Sequence, residues 1–165
     1  AGLGKGMAIQ FARSGADVAI LARRPETLNA AKAEVEAAGD GKVVVLPCDL
    51  LDSAATLQAF ADAELALGQI DILVNNAGAA WGAPLGEFPA SGFDKVLDVN
   101  VKAPFMLTQS LVPELRATGT SEDPARVVMI GSIDGLRVPF GDNYSYSASK
   151  AGVHMLARRS PTKRT

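Results

Sequence analysis

Short apolar runs, rich in β-branched residues, alternate along this chain with longer stretches that have the apolar spacing of helices. The runs occupy residues 17–22, 42–46, 70–74 and 125–130. A largely apolar run is typical of a parallel strand that is covered on both faces, because such a strand has no face that meets water. The alternation therefore predicts an α/β fold: a doubly wound, Rossmann-type parallel sheet in three α/β/α layers.

The stretches between the runs carry the start and stop signals of helices. Pro25 stands where the first turn of a helix needs no N–H group, and Gly39 suits the C-terminal cap of the same helix. Ser91 with Asp94 resembles a capping box, which predicts the start of another helix. Pro113 predicts a kink inside a later helix, because proline removes a backbone donor.

Composition excludes several classes of function. Hydrophobic residues make up 48% of the 165 residues, enough for a core, and the net charge of −2 argues against a surface for nucleic acid or an anionic membrane. No apolar run reaches the roughly 18 residues of a membrane span, and no signal-peptide pattern opens the chain. With Cys48 as the one cysteine and His154 as the one histidine, we expect no metal site and a soluble, cytoplasmic protein.

The chain opens on Gly2-Leu3-Gly4, directly ahead of an amphipathic stretch over 5–13. Glycines at the N-terminus of a helix let a phosphate approach the backbone N–H groups. The spacing is not that of G-x-G-x-x-G, because Met7 stands where the third glycine would be. On these residues alone, a phosphate-binding turn and a flexible terminus both stay open.

Polar and small residues follow two of the predicted strands. Ser132 comes after the run at 125–130, and the NNAG run at 75–78 comes after the run at 70–74. Ligands of open α/β sheets bind beyond the carboxyl ends of the strands, so a hydroxyl there can donate to a substrate oxygen. The alternative is an ordinary strand-ending serine and an ordinary turn, because Asn and Gly favour turns.

Tyr146 and Lys150 are four residues apart in a predicted helix, so their side chains lie on one face. A free phenol is poorly matched to proton transfer near neutral pH, and a nearby cation stabilises its phenolate form. A surface tyrosine stacked on a lysine would have the same spacing. We expect His154, two turns beyond Tyr146 on the same helix, to pack or to lie at the surface.

The order and spacing of these motifs resemble the short-chain dehydrogenase/reductase family over nearly the whole chain. The motifs are Gly2-Leu3-Gly4, Asp49-Leu50, Asn75 to Gly78, Asn100-Val101, Ser132, and Tyr146 to Lys150. Within the family, the runs WGAPL, PARVVMIGS and YSYSASKAGVH look most like bacterial 3-oxoacyl-[acyl-carrier-protein] reductases of the type associated with rhamnolipid synthesis.

The resemblance implies four catalytic residues of an NADPH-dependent carbonyl reductase. Tyr146 would be the general acid that protonates the carbonyl oxygen as hydride arrives from the nicotinamide. Lys150 would assist Tyr146 and hydrogen-bond the nicotinamide ribose, and Ser132 would orient the carbonyl. Asn100 would hold a water that relays protons to Lys150; a polar cap within a long helix is the alternative.

The resemblance also implies which residues bind the cofactor. They are Gly2, Leu3, Gly4, Asp49, Leu50, Asn76, Ala77 and Gly78, together with Tyr146 and Lys150. Asp49 would hydrogen-bond the adenine. Charge predicts the choice of cofactor: an acid after the run at 17–22 would repel a 2′-phosphate, whereas Arg23 and Arg24 suit one. We therefore expect NADP(H) over NAD(H), with a solvated basic loop as the alternative.

The family pattern begins with a strand ahead of the first glycine and continues with further strands after the Tyr146 helix. Neither is found here, and Pro161 is expected to end that helix. We therefore expect residues 1–165 to be a single NAD(P)-binding Rossmann domain that is incomplete at both ends. A full-length homodimer or homotetramer acting on a small carbonyl substrate, such as an acyl thioester, is implied. A catalytically incompetent truncated member or a nucleotide-binding regulator is the alternative.

Overall fold

A computed structural model describes residues 2–159, so the expectation for Pro161 lies outside the described residues. The chain divides into two compact units. The first unit consists of Ala1–Asp71 and Pro113–Ala125, and the second of Ile72–Val112 and Arg126–Thr165.

Helices and strands alternate along the chain as the sequence predicts. The α-helices are α1 (Leu3–Arg13), α2 (Pro25–Glu36), α3 (Ser53–Leu67), α4 (Ala90–Leu97), α5 (Ala103–Ser110), α6 (Val112–Thr118) and α7 (Tyr144–Arg159). The strands are β1 (Val18–Ala22), β2 (Val43–Pro47), β3 (Ile72–Asn75) and β4 (Arg126–Met129). Each strand lies within two residues of its predicted run. No helix in the part of the chain that the structure describes is long and apolar enough to cross a bilayer.

In the first unit, β1 pairs with β2 in parallel, with Val18 opposite Val43 and Ala22 opposite Pro47. Residues of both helices that flank β1 pack with β2 to form a small apolar core. Its buried members are Ala8, Ala12, Val35 and Val43, and Ile9, Val18, Ile20 and Ala38 pack against them. Pro25 begins α2, as predicted, at a position where its missing N–H costs nothing.

The prediction that Gly39 caps α2 is wrong. The helix ends at Glu36, and the residue after it, Ala37, keeps a right-handed helical conformation. Gly39 instead lies against the end of α1. A Cβ at this position would overlap the Ala12 carbonyl oxygen and lie 2.6 Å from the carbonyl carbon. The glycine is required there by close approach of two backbones, which local sequence does not reveal.

In the second unit, β3 pairs with β4 in parallel, with Ile72 opposite Arg126 and Asn75 opposite Met129. A π-helical turn, Asp98–Lys102, continues α4 into α5, and the Ala103 N–H donates to the Asp98 carbonyl five residues earlier. A short 3-10 turn, Ile133–Gly135, follows β4.

Two helix signals of the second half of the chain act differently from the prediction. The capping box is wrong, because α4 begins at Ala90 after Pro89, which places Ser91 inside the first turn. Pro113 does not kink a continuous helix. The helix is interrupted at Leu111, between α5 and α6. Pro113 is the second residue of α6, where a proline is tolerated.

The close approach at Gly39 generates a stability prediction. Gly39→Ala is expected to lower the free energy of unfolding by about 1–3 kcal/mol, because the new methyl group must displace the backbone of α1. Gly6→Ala is the matched control. Gly6 is exposed inside α1 with nothing within 4 Å of a Cβ, so alanine should raise the free energy of unfolding by about 0.5–1 kcal/mol. Urea unfolding followed by circular dichroism measures both variants, and equal effects would contradict the packing described here.

Candidate active site

Tyr146 and Lys150 meet on one face of α7, as their spacing predicts. The Lys150 Nζ lies 5.7 Å from the centroid of the Tyr146 ring and donates to the Ile130 carbonyl oxygen at 2.6 Å. The Lys150 residue is only 6% exposed, and this burial lowers the pKa of its ammonium group. The site therefore holds a desolvated cation against the phenol ring, fixed by one backbone carbonyl.

Ser132 follows β4 and caps the 3-10 turn. Its Oγ accepts a hydrogen bond from the Asp134 N–H at 3.2 Å, and its own N–H donates to the Nε2 atom of His154 at 3.3 Å. A serine hydroxyl carries one proton and accepts through two lone pairs. Because the contact with Asp134 uses a lone pair, the hydroxyl proton of Ser132 is left to be donated.

We name residues 130–135 the serine loop. At one end of it, the Ile130 carbonyl accepts the Lys150 ammonium. At the other end, Gly135 lies against the backbone of α7, where a Cβ would be 2.5 Å from the Lys150 carbonyl carbon and 2.6 Å from the Ala151 nitrogen. The loop that carries Ser132 is therefore packed directly on the helix that carries Tyr146 and Lys150.

Asn100 lies in the π-helical turn and is 2% exposed. Its Oδ1 accepts the Ala79 N–H at 2.7 Å, and its Nδ2 donates to the Ala79 carbonyl and to Ser149 Oγ, both at 2.9 Å. Both side-chain N–H groups are thus used within the protein. A water relay through Asn100 stays a prediction, and it would have to use an acceptor atom of this residue.

Ser149 is a member of this site that sequence reasoning missed. It is fully buried, and its Oγ accepts from Asn100 and donates to the Tyr146 carbonyl at 2.7 Å. It thereby joins the π-helical turn to α7. Its place beside Lys150 was the available signal, but a partner 49 positions away is visible only in the folded chain.

The NNAG run forms the segment after β3. Asn75 is buried, its Nδ2 donates to Thr108 Oγ1 at 3.2 Å, and its carbonyl accepts the Ile130 N–H at 3.1 Å. The side chain thus anchors α5, while the backbone joins the segment after β4. Of the three predicted cofactor residues that follow, Asn76 is half-buried, and Ala77 and Gly78 are exposed.

The predicted phosphate-binding glycines lie at the start of α1 in the first unit. The helix begins at Leu3, two residues earlier than the amphipathic stretch indicates, so Gly4 belongs to its first turn. Gly2 precedes the helix with φ of 139°, a conformation that L side chains rarely adopt. Because the first N–H groups of a helix have no partner within it, this end can accept an anion.

The other predicted cofactor residues of the first unit follow its two strands. Arg23 and Arg24 come directly after β1, and both are exposed. Asp49 comes two residues after β2, is exposed, and accepts the Leu51 N–H through Oδ1 at 3.1 Å; Leu50 is half-buried. Within the described residues, no group of three or more His, Cys, Asp or Glu side chains could hold a metal ion, and the expectation of no metal site stays a prediction.

Comparison with known proteins decides the family. The family model described as short chain dehydrogenase matches residues 1–162. The chain belongs to the short-chain dehydrogenase family. This membership confirms the family that the motif order predicts, and with it a family of oxidoreductases.

The short-chain dehydrogenase described here is similar to a relative from Pseudomonas aeruginosa, the rhamnolipids biosynthesis 3-oxoacyl-[acyl-carrier-protein] reductase. The two are 40% identical over 158 residues, which cover 95% of this chain and 60% of the relative. The chain therefore spans about 60% of the length of the relatives it matches.

Two solved structures show the same fold. The Pseudomonas aeruginosa RhlG/NADP active-site complex is 39% identical with a TM-score of 0.82, and the match covers 94% of this chain and 60% of that one. A xylitol dehydrogenase bound to NAD+ is 26% identical with a TM-score of 0.84, covering 93% of this chain and 57% of that one. These likenesses confirm the predicted doubly wound, Rossmann-type fold of this short-chain dehydrogenase.

The hydrogen bonds of Asn100 generate a prediction about the site. Asn100→Asp keeps the shape of the side chain but places an acceptor against the Ala79 carbonyl, so we expect the free energy of unfolding to fall by about 2 kcal/mol or more. Urea unfolding measures this loss.

Asp98→Asn is the matched control, because it makes the opposite swap on the same turn. Asp98 is half exposed and its Oδ1 lies 3.6 Å from Lys102 Nζ, so losing this pair should change the free energy of unfolding by less than about 1 kcal/mol. Equal losses in the two variants would show that the Asn100 donors are not needed.

Proposed function

We propose that the full-length protein is an NADPH-dependent oxidoreductase that transfers hydride to a carbonyl group and yields an alcohol. Family membership supplies the coarser statement, an oxidoreductase of the short-chain dehydrogenase family. The observation that carries the finer one is the packing of Ser132, Tyr146 and Lys150 within one compact unit. The buried ammonium lies against the phenol ring and is bonded to the loop that presents the serine.

Each of these three residues has a role that its contacts support. When bound, the nicotinamide supplies the hydride that reaches the carbonyl carbon. Tyr146 gives its proton to the carbonyl oxygen as negative charge develops there, and Ser132 donates a hydrogen bond to the same oxygen. Lys150 stabilises the phenolate that remains, because its cation lies over the ring and is shielded from water. We also propose that Asn100, which is bonded to Ser149 of α7, holds a water that relays protons to Lys150.

The first unit supplies residues that fit a phosphorylated dinucleotide. Among the described residues of its first turn, α1 has no acidic side chain that would repel a diphosphate. Gly2, Leu3 and Gly4 would face that group at the start of the helix. We assign the 2′-phosphate to the exposed Arg23 and Arg24, because guanidinium groups bind phosphate oxygens in pairs.

The adenosine half of the cofactor would use residues after other strands. In the first unit, Asp49 would accept a hydrogen bond from the adenine amino group, with Leu50 beside it. In the second unit, Asn76 is half-buried, and the small, exposed Ala77 and Gly78 leave room for a flat ligand. One relative is solved with NADP and another with NAD+, so charge at Arg23 and Arg24 is our reason for preferring NADP(H).

We propose a 3-oxoacyl thioester, or a ketone of similar shape, as the substrate. The relative from Pseudomonas aeruginosa is named for such a reductase. Just after the serine loop, the side chains of Leu136, Val138 and Phe140 are exposed, and Phe140 is completely so. Exposed apolar side chains that follow the serine loop suit an acyl chain, because burying them against it removes apolar surface from water.

The remaining features of the proposal concern the whole protein. We propose a homodimer or homotetramer, supported by apolar residues that α5 and α7 expose in the second unit, namely Phe105, Met106 and Met155. A cytoplasmic location and a single NAD(P)-binding domain over residues 1–165 stay predictions from the sequence.

Tyr146→Phe tests the role of the phenol in the full-length protein. We expect turnover to fall by about 10²–10⁴-fold, because the general acid is lost, while NADPH still binds. NADPH oxidation with a 3-oxoacyl thioester measures turnover, and a fluorescence titration measures binding. Tyr144→Phe is the matched control, since the Tyr144 hydroxyl is bonded to Asp142 at an exposed site. Retained turnover in Tyr146→Phe would overturn the proposed function.

The arginine pair generates a prediction about cofactor choice. Replacing Arg23 and Arg24 together with glutamine should weaken NADPH binding by about 10- to 100-fold, as expected for lost charge-assisted hydrogen bonds. NADH affinity should change little, because NADH has no 2′-phosphate. Arg13→Gln removes a positive charge from the far end of α1 and is the control. Equal affinity of the unmodified protein for NADH and NADPH would contradict the assignment.

A further inference from the structure

His154 contacts the serine loop through one ring nitrogen. It lies on α7, two turns beyond Tyr146, and its Nε2 accepts the backbone N–H of Ser132 at 3.3 Å. Its other nitrogen, Nδ1, is buried and has no hydrogen-bond partner among the described residues. Among the described residues, the hydrogen bond of this side chain is therefore made to Ser132. Sequence reasoning expected only packing or a surface position for it.

The residue before Ser132 is shaped to admit the ring. A Cβ at Gly131 would overlap His154 Nε2 and lie 2.7 Å from Cδ2. The imidazole thus occupies the space that any other side chain at position 131 would need. Close approach of the ring and the backbone of the serine loop is an observation independent of the hydrogen bond, and both point to the same contact.

Among the described residues, contacts at three places hold the serine loop on α7, and one of these contacts is with Ser132 itself. Lys150 Nζ bonds the Ile130 carbonyl, and Gly135 packs on the backbone at Lys150. Between these two points, His154 takes the Ser132 N–H. Because this bond fixes the backbone of Ser132, it also fixes the direction from which the serine hydroxyl is presented.

We propose that His154 is a positioning residue that holds Ser132 in register for the substrate carbonyl oxygen. The proposal rests on the proposed function, since it assigns the substrate contact to Ser132. It is distinct from a packing role. An apolar side chain of similar size would fill the same space without leaving a ring nitrogen buried and unpaired, which costs free energy.

The hydrogen bond determines where the ring carries its proton. Nε2 can accept only if it is unprotonated, so a neutral His154 carries its proton on Nδ1. Nitrogen-15 NMR of the histidine side chains in the full-length protein reads this tautomer directly. The His154 signals are those missing from the His154→Gln variant. A proton on Nε2 would overturn the proposal. This measurement needs no substitution at the Ser132 contact, so it holds even if a variant at position 154 fails to fold.

Two substitutions separate the acceptor from the shape of the side chain. His154→Met fills similar space without an acceptor for the Ser132 N–H, whereas His154→Gln carries a carbonyl oxygen at about the reach of Nε2. We expect His154→Met to lower kcat by about 10- to 100-fold, the size of effect that misplacing a catalytic group produces. The KM for NADPH should stay within about twofold, and His154→Gln should restore most of kcat. Arg158→Met, at an exposed position one turn further along α7, is the control.

A double-mutant cycle with Ser132→Ala decides whether His154 acts through Ser132. In the Ser132→Ala background, His154→Met should cause no further loss of kcat, because the hydroxyl to be positioned is gone. A full additional loss there, or equal kcat in His154→Met and His154→Gln, would overturn the positioning role. If Ser132→Ala alone leaves kcat unchanged, the proposed function fails instead, so the two failures are distinguishable.

Discussion

Parallel pairing requires a crossover after each strand, because the chain must return to the same end of the sheet before the next strand begins. The residues that follow paired strands are therefore brought to one edge. In the first unit, Ala22 is opposite Pro47, and the Cys48 N–H donates to the Ala22 carbonyl. In the second unit, Asn75 is opposite Met129, and the Ile130 N–H donates to the Asn75 carbonyl. In each unit a group of proposed site residues follows this edge directly: Arg23, Arg24 and Asp49 in the first, and Asn76, Ala77, Gly78 and Ser132 in the second.

The second unit adds a buried cation to that edge, and the surrounding groups are arranged around it. Removing an ammonium from water is unfavourable, and burial accordingly lowers the pKa of Lys150. The Ile130 carbonyl and the face of the Tyr146 ring offset part of this cost. The hydrogen bond from Asn100 to Ser149 attaches α7, the helix that carries the cation, to the π-helical turn, and Ser149 in turn bonds the Tyr146 carbonyl. A protein that needed only stability would gain more from an apolar side chain at position 150.

Sequence reasoning predicted the features that depend on local spacing. Strands follow from continuous apolar runs, and the meeting of Tyr146 with Lys150 follows from the periodicity of a helix. Contacts between distant segments could not be predicted. The contact of Gly39 with Ala12 depends on packing and is invisible to local spacing. The hydrogen-bond partner of His154 lies on the serine loop, 22 residues earlier in the chain. The motif order compensated for this, since it indicated the family without requiring any single contact.

The π-helical turn at Asp98–Lys102 has a consequence for how the chain can change in length. Its hydrogen bond spans five residues instead of four, so this turn contains one residue more than a regular α-helix would. Removing one residue there would restore regular α-helical winding, and the residues of the turn itself would then be distributed differently around the helix. Asn100 would then face away from Ala79 or from Ser149. The number of residues in this turn is therefore fixed by the contacts of Asn100.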